Sequence, residues 1–304
     1  MPEILADKKK GLKHTEERLS RHHQKEWRRI ANIVYSRKLA LIGFIVLIIL
    51  AITAIFAPGL APFNPYEINI TKKLLTPNIH HIFGTDSLGR DTFSRIIYGT
   101  RTSLIVGVGA VGLATIIGQL LGLIAGYFGG TIFTVIMRIT DALMASPMIL
   151  NALIIASLLG GGLKNVIIAL GVGMIPGHCR LMCAQVLTVK ENEFITAVKA
   201  MGAGNFRIML RHIIPNSFPP LIVMVTIGLG TSILAEAGLS FLGIGVEPPT
   251  AAWGSMISDG YKYLLMRPLL SFAPGIAIML VVFGFNMMGD GLRDALDPKL
   301  KGVL

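Results

Sequence analysis

Long runs without charge alternate with short charged connections along most of the chain. Leu39–Ala57 carries no Asp, Glu, Lys or Arg over 19 positions, Thr102–Gly126 none over 25, and Ala142–Leu163 none over 22. Asn165–Cys179 is charge-free over only 15 positions, between Lys164 and Arg180. Ile213–Ala235 and Pro268–Gly289 complete the series. A helix needs about 20 apolar residues to cross a bilayer. The pattern therefore predicts six spanning helices, the fourth completed by Gly160–Gly162 and by flanking charges that reach toward the headgroups. The Ala142–Leu163 run is expected to hold the third span and a short glycine turn.

Composition agrees with that pattern. The chain is 53% hydrophobic and 15% charged, too apolar for an ordinary water-soluble domain. Its formal net charge of +11 does not point to nucleic acid, because the basic residues sit in the N-terminal tail and in the connections. Six spans with an internal N-terminus place 20 of the 28 lysines and arginines inside, as the positive-inside rule requires. The expected fold is an all-α polytopic membrane protein with both termini cytoplasmic. Residues 1–38 form a tail, with Trp27, Ile30, Ile33 and Val34 at the spacing of an interfacial helix. Residues 39–101 hold the first span and an outer segment, 102–289 the remaining spans, and 290–304 a second cytoplasmic tail.

Few residues at membrane depth carry chemistry. Gly118, Gly122 and Gly126 recur every fourth position, which makes a smooth helix face for close packing. Pro147, Pro219, Pro220 and Pro274 should kink or start helices. Arg138 and Asp141 are three apart, so they can pair on one helix face at the inner end of span three. Gln119, Asn151 and Asn286 are candidates for interhelical hydrogen bonds or a polar path. Glu236 could line a path or sit at the interface. Asp86, Arg90 and Asp91 could be a structural ion-pair group or a docking surface. His178, Cys179 and Cys183 cluster without further partners, so no metal site is expected. There is no chain of buried acids for a proton relay, no G-x-x-x-x-G-K-[ST] phosphate loop and no convergent catalytic set. A self-powered pump and an enzyme are both disfavoured.

One charged stretch is patterned as folded structure. In "EFITAVKAMG", Phe194, Val198 and Met201 recur at helical spacing, with Ala197 beside them and Glu193 and Lys199 on other faces. Gly202-Ala203-Gly204 permits a sharp turn, and Asn205 can cap a second helix bearing Phe206, Met209, Leu210 and Ile213. Pro215 marks re-entry to the membrane. Such a helical pair, spanning 191–215, either lies on lipid or docks a soluble protein.

This stretch resembles the coupling loop of ABC-importer permeases, EAA-x3-G-x9-I-x-LP. Thr196–Val198 fills the first slot, Gly202 matches the glycine, His212 takes the isoleucine slot and Ile214-Pro215 matches the end. "FGTDSLGRDTFSRIIYGTRTSL" (Phe83–Leu104), "LSFLGIGVEPPTAAWGSMISDG" (Leu239–Gly260) and "FNMMGDGLRDALDPKLK" (Phe285–Lys301) resemble the dipeptide/oligopeptide/nickel permeases. Cys183 departs from the family, which often carries an arginine there. The resemblance implies a type I ABC-importer permease fold in a bacterial inner membrane, with no cofactor held by this chain. It implies a second related permease subunit, two cytoplasmic ATPase subunits that hold ATP and Mg, and an extracytoplasmic binding protein. Glu193, Phe194, Ala197, Val198, Met201, Gly202, Ala203 and Pro215 would form the ATPase-coupling loop. The expected cargo is dipeptides or oligopeptides; nickel or another small solute is the alternative.

Overall fold

The computed structural model describes residues 37–296. The interfacial-helix reading over Trp27–Val34 lies outside them, as does the end of the second tail. Among the described residues the chain is helical, with one isolated bridge between Thr85 and Asp91 and no longer strand. Helix α1 (Lys38–Ile55) leads through a short α2 (Ala57–Leu60) and a single 3-10 turn, Ile70–Lys72, into α3 (Thr92–Phe128). Then follow α4 (Gly130–Met144), α5 (Met148–Leu159) and α6 (Leu163–Lys190). The connection α7 (Glu193–Ala200), α8 (Asn205–Ile208) and a π-helical turn (Met209–Ile213) runs into α9 (Ile214–Phe241). Helices α10 (Trp253–Tyr261) and α11 (Leu269–Leu296) end the described chain.

Among the described residues five helical units are long and apolar enough to span a membrane, and the α4–α5 pair makes a sixth if it counts as one bent span. That pair is the main departure from the hydropathy pattern. The Ala142–Leu163 run is the end of α4 followed by α5, and the two helices meet at 88°. Pro147 sets the break because its ring removes one backbone donor and disfavours helical geometry at Ser146. The break is clasped by side chains. Asn151 Nδ2 donates to the Leu143 carbonyl at 2.8 Å, and Ser146 Oγ donates to Asn151 Oδ1 at 2.5 Å. The fourth run, short by charge count, belongs to a continuous 28-residue helix that carries Pro176 in its interior. Pro219, Pro220 and Pro274 likewise lie inside helices rather than at their starts.

Helices α3 and α6 form the most extensive pair of the bundle. The glycine stripe faces that seam. A Cβ on Gly118 would lie 2.7 Å from His178 Cβ, one on Gly122 2.3 Å from the Cys179 carbonyl oxygen, and one on Gly126 2.8 Å from Val186 Cβ. The two backbones therefore pack directly against each other, as small residues four apart allow. Around this seam, Val106, Ala110, Val166, Leu170 and Leu239 form one buried cluster, and Leu123, Met182, Val186 and Leu221 part of a second.

The connection between α2 and α3 folds onto the end of the bundle opposite α7. Asp91 accepts hydrogen bonds from the Ser94 amide (2.8 Å) and hydroxyl (2.7 Å), capping α3, and meets His81 Nδ1 at 2.9 Å. Arg90 Nε donates to Asp86 Oδ2 at 2.7 Å, and the buried Arg95 donates to the Pro65 carbonyl at 2.9 Å. Trp253, fully buried, donates from Nε1 to the Ile96 carbonyl at 3.0 Å. Asp86, Arg90 and Asp91 thus form a structural group inside this segment.

Candidate functional site

Two features stand apart from the scaffold: the α7–α8 connection and a cavity beside α9. The connection is pinned from below by three isoleucines. Ile195, Ile208 and Ile213 are fully buried against Leu123, Tyr127, Met182, Val186 and Leu221. Tyr127, at the end of α3, acts as the anchor. Its hydroxyl donates to Asn205 Oδ1 at 2.8 Å, its carbonyl accepts from Lys190 Nζ at 2.7 Å, and Lys199 Nζ stands 6.0 Å from its ring centre. Asn205 is therefore not the cap of α8; Gly204 occupies that position and the Asn205 side chain reaches back to α3.

The turn between the helices closes as a Schellman motif. Gly202 sits at φ +81°, its amide donates to the Lys199 carbonyl at 2.9 Å, and the Ala203 amide donates to the Val198 carbonyl at 3.2 Å. Val198 and Ala203 are half-buried and pack toward the isoleucines. Phe194, Met201, Phe206 and Leu210 remain 40%, 77%, 72% and 47% exposed. Spacing groups Phe194 with Val198 and Met201, but the fold divides that stripe. Val198 turns inward, and its place on the open side is taken by Phe206 and Leu210. Glu193, Ala197 and Pro215 are also exposed. The connection is thus seated on the bundle, with an apolar surface that nothing among the described residues covers.

The π-helical turn joins this platform to α9 without a break. Pro215, with no N–H of its own, follows directly. Single π turns occur mostly inside continuing α-helices, frequently at functional sites.

Between the α4–α5 break, α6 and α9 lies a cavity of about 650 Å³. Met144, Met148, Met174 and Met224 contribute four thioethers to its wall, Ser146 and Thr231 two hydroxyls and His178 an imidazole; among the described residues no Asp, Glu, Lys or Arg lines it. Pro220 and Val223 also border a second hollow, of about 490 Å³, that extends toward α7 past Gln185, Asn216 and Arg293. The methionines went unnoticed in the sequence because they come from four separate segments. Asn151 was legible as a polar residue in an apolar run, but its role at the break was not.

Other expected residues fall differently. Asp141 pairs with Arg180 of α6 at 2.5 Å, not with Arg138, because α4 turns Asp141 toward α6. His178, Cys179 and Cys183 are buried along the α3–α6 seam, and among the described residues no cluster is placed to hold a metal. Glu236 neither lines the cavity nor reaches the surface; it is wholly buried.

Comparisons with known proteins agree on one family. Residues 118–302 match the family described as binding-protein-dependent transport system inner membrane component. Residues 26–77 match the N-terminal TM domain of oligopeptide transport permease C. The chain is 47% identical over 275 residues to the dipeptide transport system permease protein DppC of Alkalihalophilus pseudofirmus, covering 90% of each chain. It is 43% identical to the glutathione transport system permease protein GsiD of Escherichia coli O6:K15:H31, covering 91% of this chain and 90% of that one. The probable D,D-dipeptide transport system permease protein DdpC of Escherichia coli K12 is 39% identical, with 85% and 87% covered. In fold, the chain is similar to a chain of the MetNI methionine ABC transporter in an inward-facing conformation. That likeness has a TM-score of 0.56 at 20% identity and covers 67% of this chain and 97% of that one.

Proposed function

Because the chain belongs to the family of binding-protein-dependent transport system inner membrane components, we propose that it is the peptide-passing permease subunit of an ATP-driven importer. The family's members are transport permeases rather than catalytic subunits. The fuller assembly is a second related permease, two cytoplasmic ATPases that bind ATP and Mg, and an extracytoplasmic binding protein that delivers cargo. Both termini and α7 then face the cytoplasm, in keeping with the excess of lysine and arginine at that end.

The observation that carries this reading is the continuity from platform to cavity. The exposed apolar residues Phe194, Met201, Phe206 and Leu210 sit on a connection that the buried isoleucines seat firmly. The same connection runs without interruption into α9, which lines the cavity. A soluble partner that grips the platform differently in two nucleotide states shifts the cavity's access by its differential affinity for those states. A methionine-rich wall suits cargo of varied shape, since methionine repacks easily. Peptides are favoured over nickel by the relatives, which are named for dipeptides, D,D-dipeptides and glutathione.

The test is at Gly202. No atom lies within 4 Å of a Cβ built there, so bulk is tolerated and only the positive φ resists a side chain. A β-branched residue in that conformation is strained by about 1–2 kcal/mol or more, which reshapes the turn. Gly202→Val should leave membrane insertion intact while sharply lowering ATP hydrolysis stimulated by the loaded binding protein, and uptake with it. Gly202→Asn, which accepts left-handed geometry, should retain most of both. Normal uptake by the valine variant refutes a coupling role for the turn.

A further inference from the structure

Glu236 is a buried acidic side chain that the transport reading leaves without work. It lies in α9 near the end opposite α7 and is 0% exposed. Oε1 accepts a hydrogen bond from Ser240 Oγ at 2.7 Å, and the same Ser240 oxygen accepts from the Val246 amide at 3.1 Å. Val246 belongs to the connection that follows α9, and that connection is tied in turn to the start of α6, where the Gly162 amide donates to the Gly245 carbonyl at 3.0 Å. Gly245 lies so close that a Cβ there would collide with Ser240. On its other side, Glu236 faces Ser103 of α3, itself fully buried. Glu236 Oε2 and Ser103 Oγ both lack a hydrogen-bond partner of good geometry.

Two unpartnered oxygens beside one another need one proton between them. Either serine gives it to a carboxylate, or a carboxylic acid gives it to serine. Hydrogen bonding alone does not choose; charge does. Among the described residues no Lys, Arg or His forms an ion pair with Glu236. Complete burial within this chain also keeps a second subunit from reaching the carboxyl. An isolated buried carboxylate costs several kcal/mol even after relaxation, far more than a neutral acid that keeps its hydrogen bonds.

We propose that Glu236 is held as a neutral carboxylic acid that donates from Oε2 to Ser103 Oγ while accepting from Ser240. It is a positioning residue in an uncharged chain of hydrogen bonds running from the Val246 amide through α9 to α3. Aligned donors in a dry interior strengthen one another. The chain fastens the α9–α10 connection to the two central helices without placing a net charge in the membrane.

The test pairs infrared difference spectroscopy with uptake by the reconstituted full assembly. At neutral pH, the wild-type minus Glu236→Gln difference spectrum should show the carbonyl stretch of a protonated carboxylic acid. Uptake should change by no more than about twofold, because the amide oxygen accepts and one amide N–H donates in the same places. Glu236→Leu leaves Ser240 and Ser103 facing an apolar wall and should lower the yield of folded protein by about tenfold. The symmetric and antisymmetric stretches of a carboxylate in the difference spectrum would overturn the proposal. Failure of the glutamine variant to insert or assemble would also overturn it. The infrared band does not depend on transport, so a wrong cargo assignment leaves this test unaffected.

Discussion

Substituting Gly122 by alanine measures how closely α3 and α6 approach. The new methyl carbon would stand 2.3 Å from the Cys179 carbonyl oxygen, 2.8 Å from Met182 Cβ and 3.0 Å from the Cys183 amide nitrogen. A carbon rests no closer than about 3.3 Å to a carbonyl oxygen even in favourable C–H···O contacts, so the backbones must part by about 1 Å. None of the three obstacles is the free end of a flexible side chain. Parting the helices also loosens the contacts at Gly118 and Gly126, and a gap of 0.5–1 Å forfeits roughly a quarter to a half of each dispersion contact. Overpacking of this kind costs about 1–3 kcal/mol. Gly112, on the same helix, is the control, since nothing lies within 4 Å of a Cβ built there. Alanine at 112 should be neutral or stabilise by up to about 1 kcal/mol through helix propensity. The assay is the midpoint of thermal loss of monodisperse protein in one detergent, for both variants beside the wild type. Equal midpoints for Gly122→Ala and Gly112→Ala would refute direct backbone packing at the seam.

Further outcomes follow from single contacts. The chain has two tryptophans; with Trp27→Phe, the emission of fully buried Trp253 should be blue-shifted and shielded from acrylamide, and efficient quenching would contradict its burial. Asp141→Arg and Arg180→Asp should each lower the yield of folded protein, and the double exchange should recover it. A half-exposed pair in water is worth about 0–1 kcal/mol, so a larger recovery, read by a double-mutant cycle, marks a pair shielded from water. Met224→Trp places a larger side chain in the cavity wall and should block uptake while leaving thermal stability near the wild type; unimpaired uptake would remove this cavity from the path.

Hydropathy located most spans because a bilayer imposes one dominant requirement, apolar length. The same requirement could not give the angle of the α4–α5 break, although Pro147 was expected to kink or start a helix and does start α5. A run of apolar residues reports depth and not direction, so two helices at 88° read as one span. Ser146-Pro147 was the available cue, and Asn151 four residues on was its clasp. The glycine stripe was legible because its spacing is local, whereas the helix it meets is 50 to 60 residues away and had no local signal. Asp141 shows the same limit. Arg138 is its neighbour in sequence, but the partner is Arg180 across the bundle. In the α7–α8 connection, periodicity picked out Phe194, Val198 and Met201 and passed over Ile195, which seats the helix while Phe194 stays open. Both are apolar and adjacent, and only the position of α3 and Tyr127 decides between them.

From Asn205 to Phe241 the chain is one helical rod of 37 residues, about 55 Å long at 1.5 Å per residue. Its two ends are held by different means. The first turn is seated on Tyr127 and the buried isoleucines, while the last is fastened through Ser240 to Val246. Pro219 and Pro220 withdraw two successive backbone donors between those anchorages, and Pro220 borders both hollows. A bend at these prolines would fall where the two hollows meet at Pro220 and Val223, away from the Ser240 end. A displacement at the Asn205 end would thus reshape the hollows while Ser240 keeps its tie to Val246, so one helix can move at one end and hold at the other.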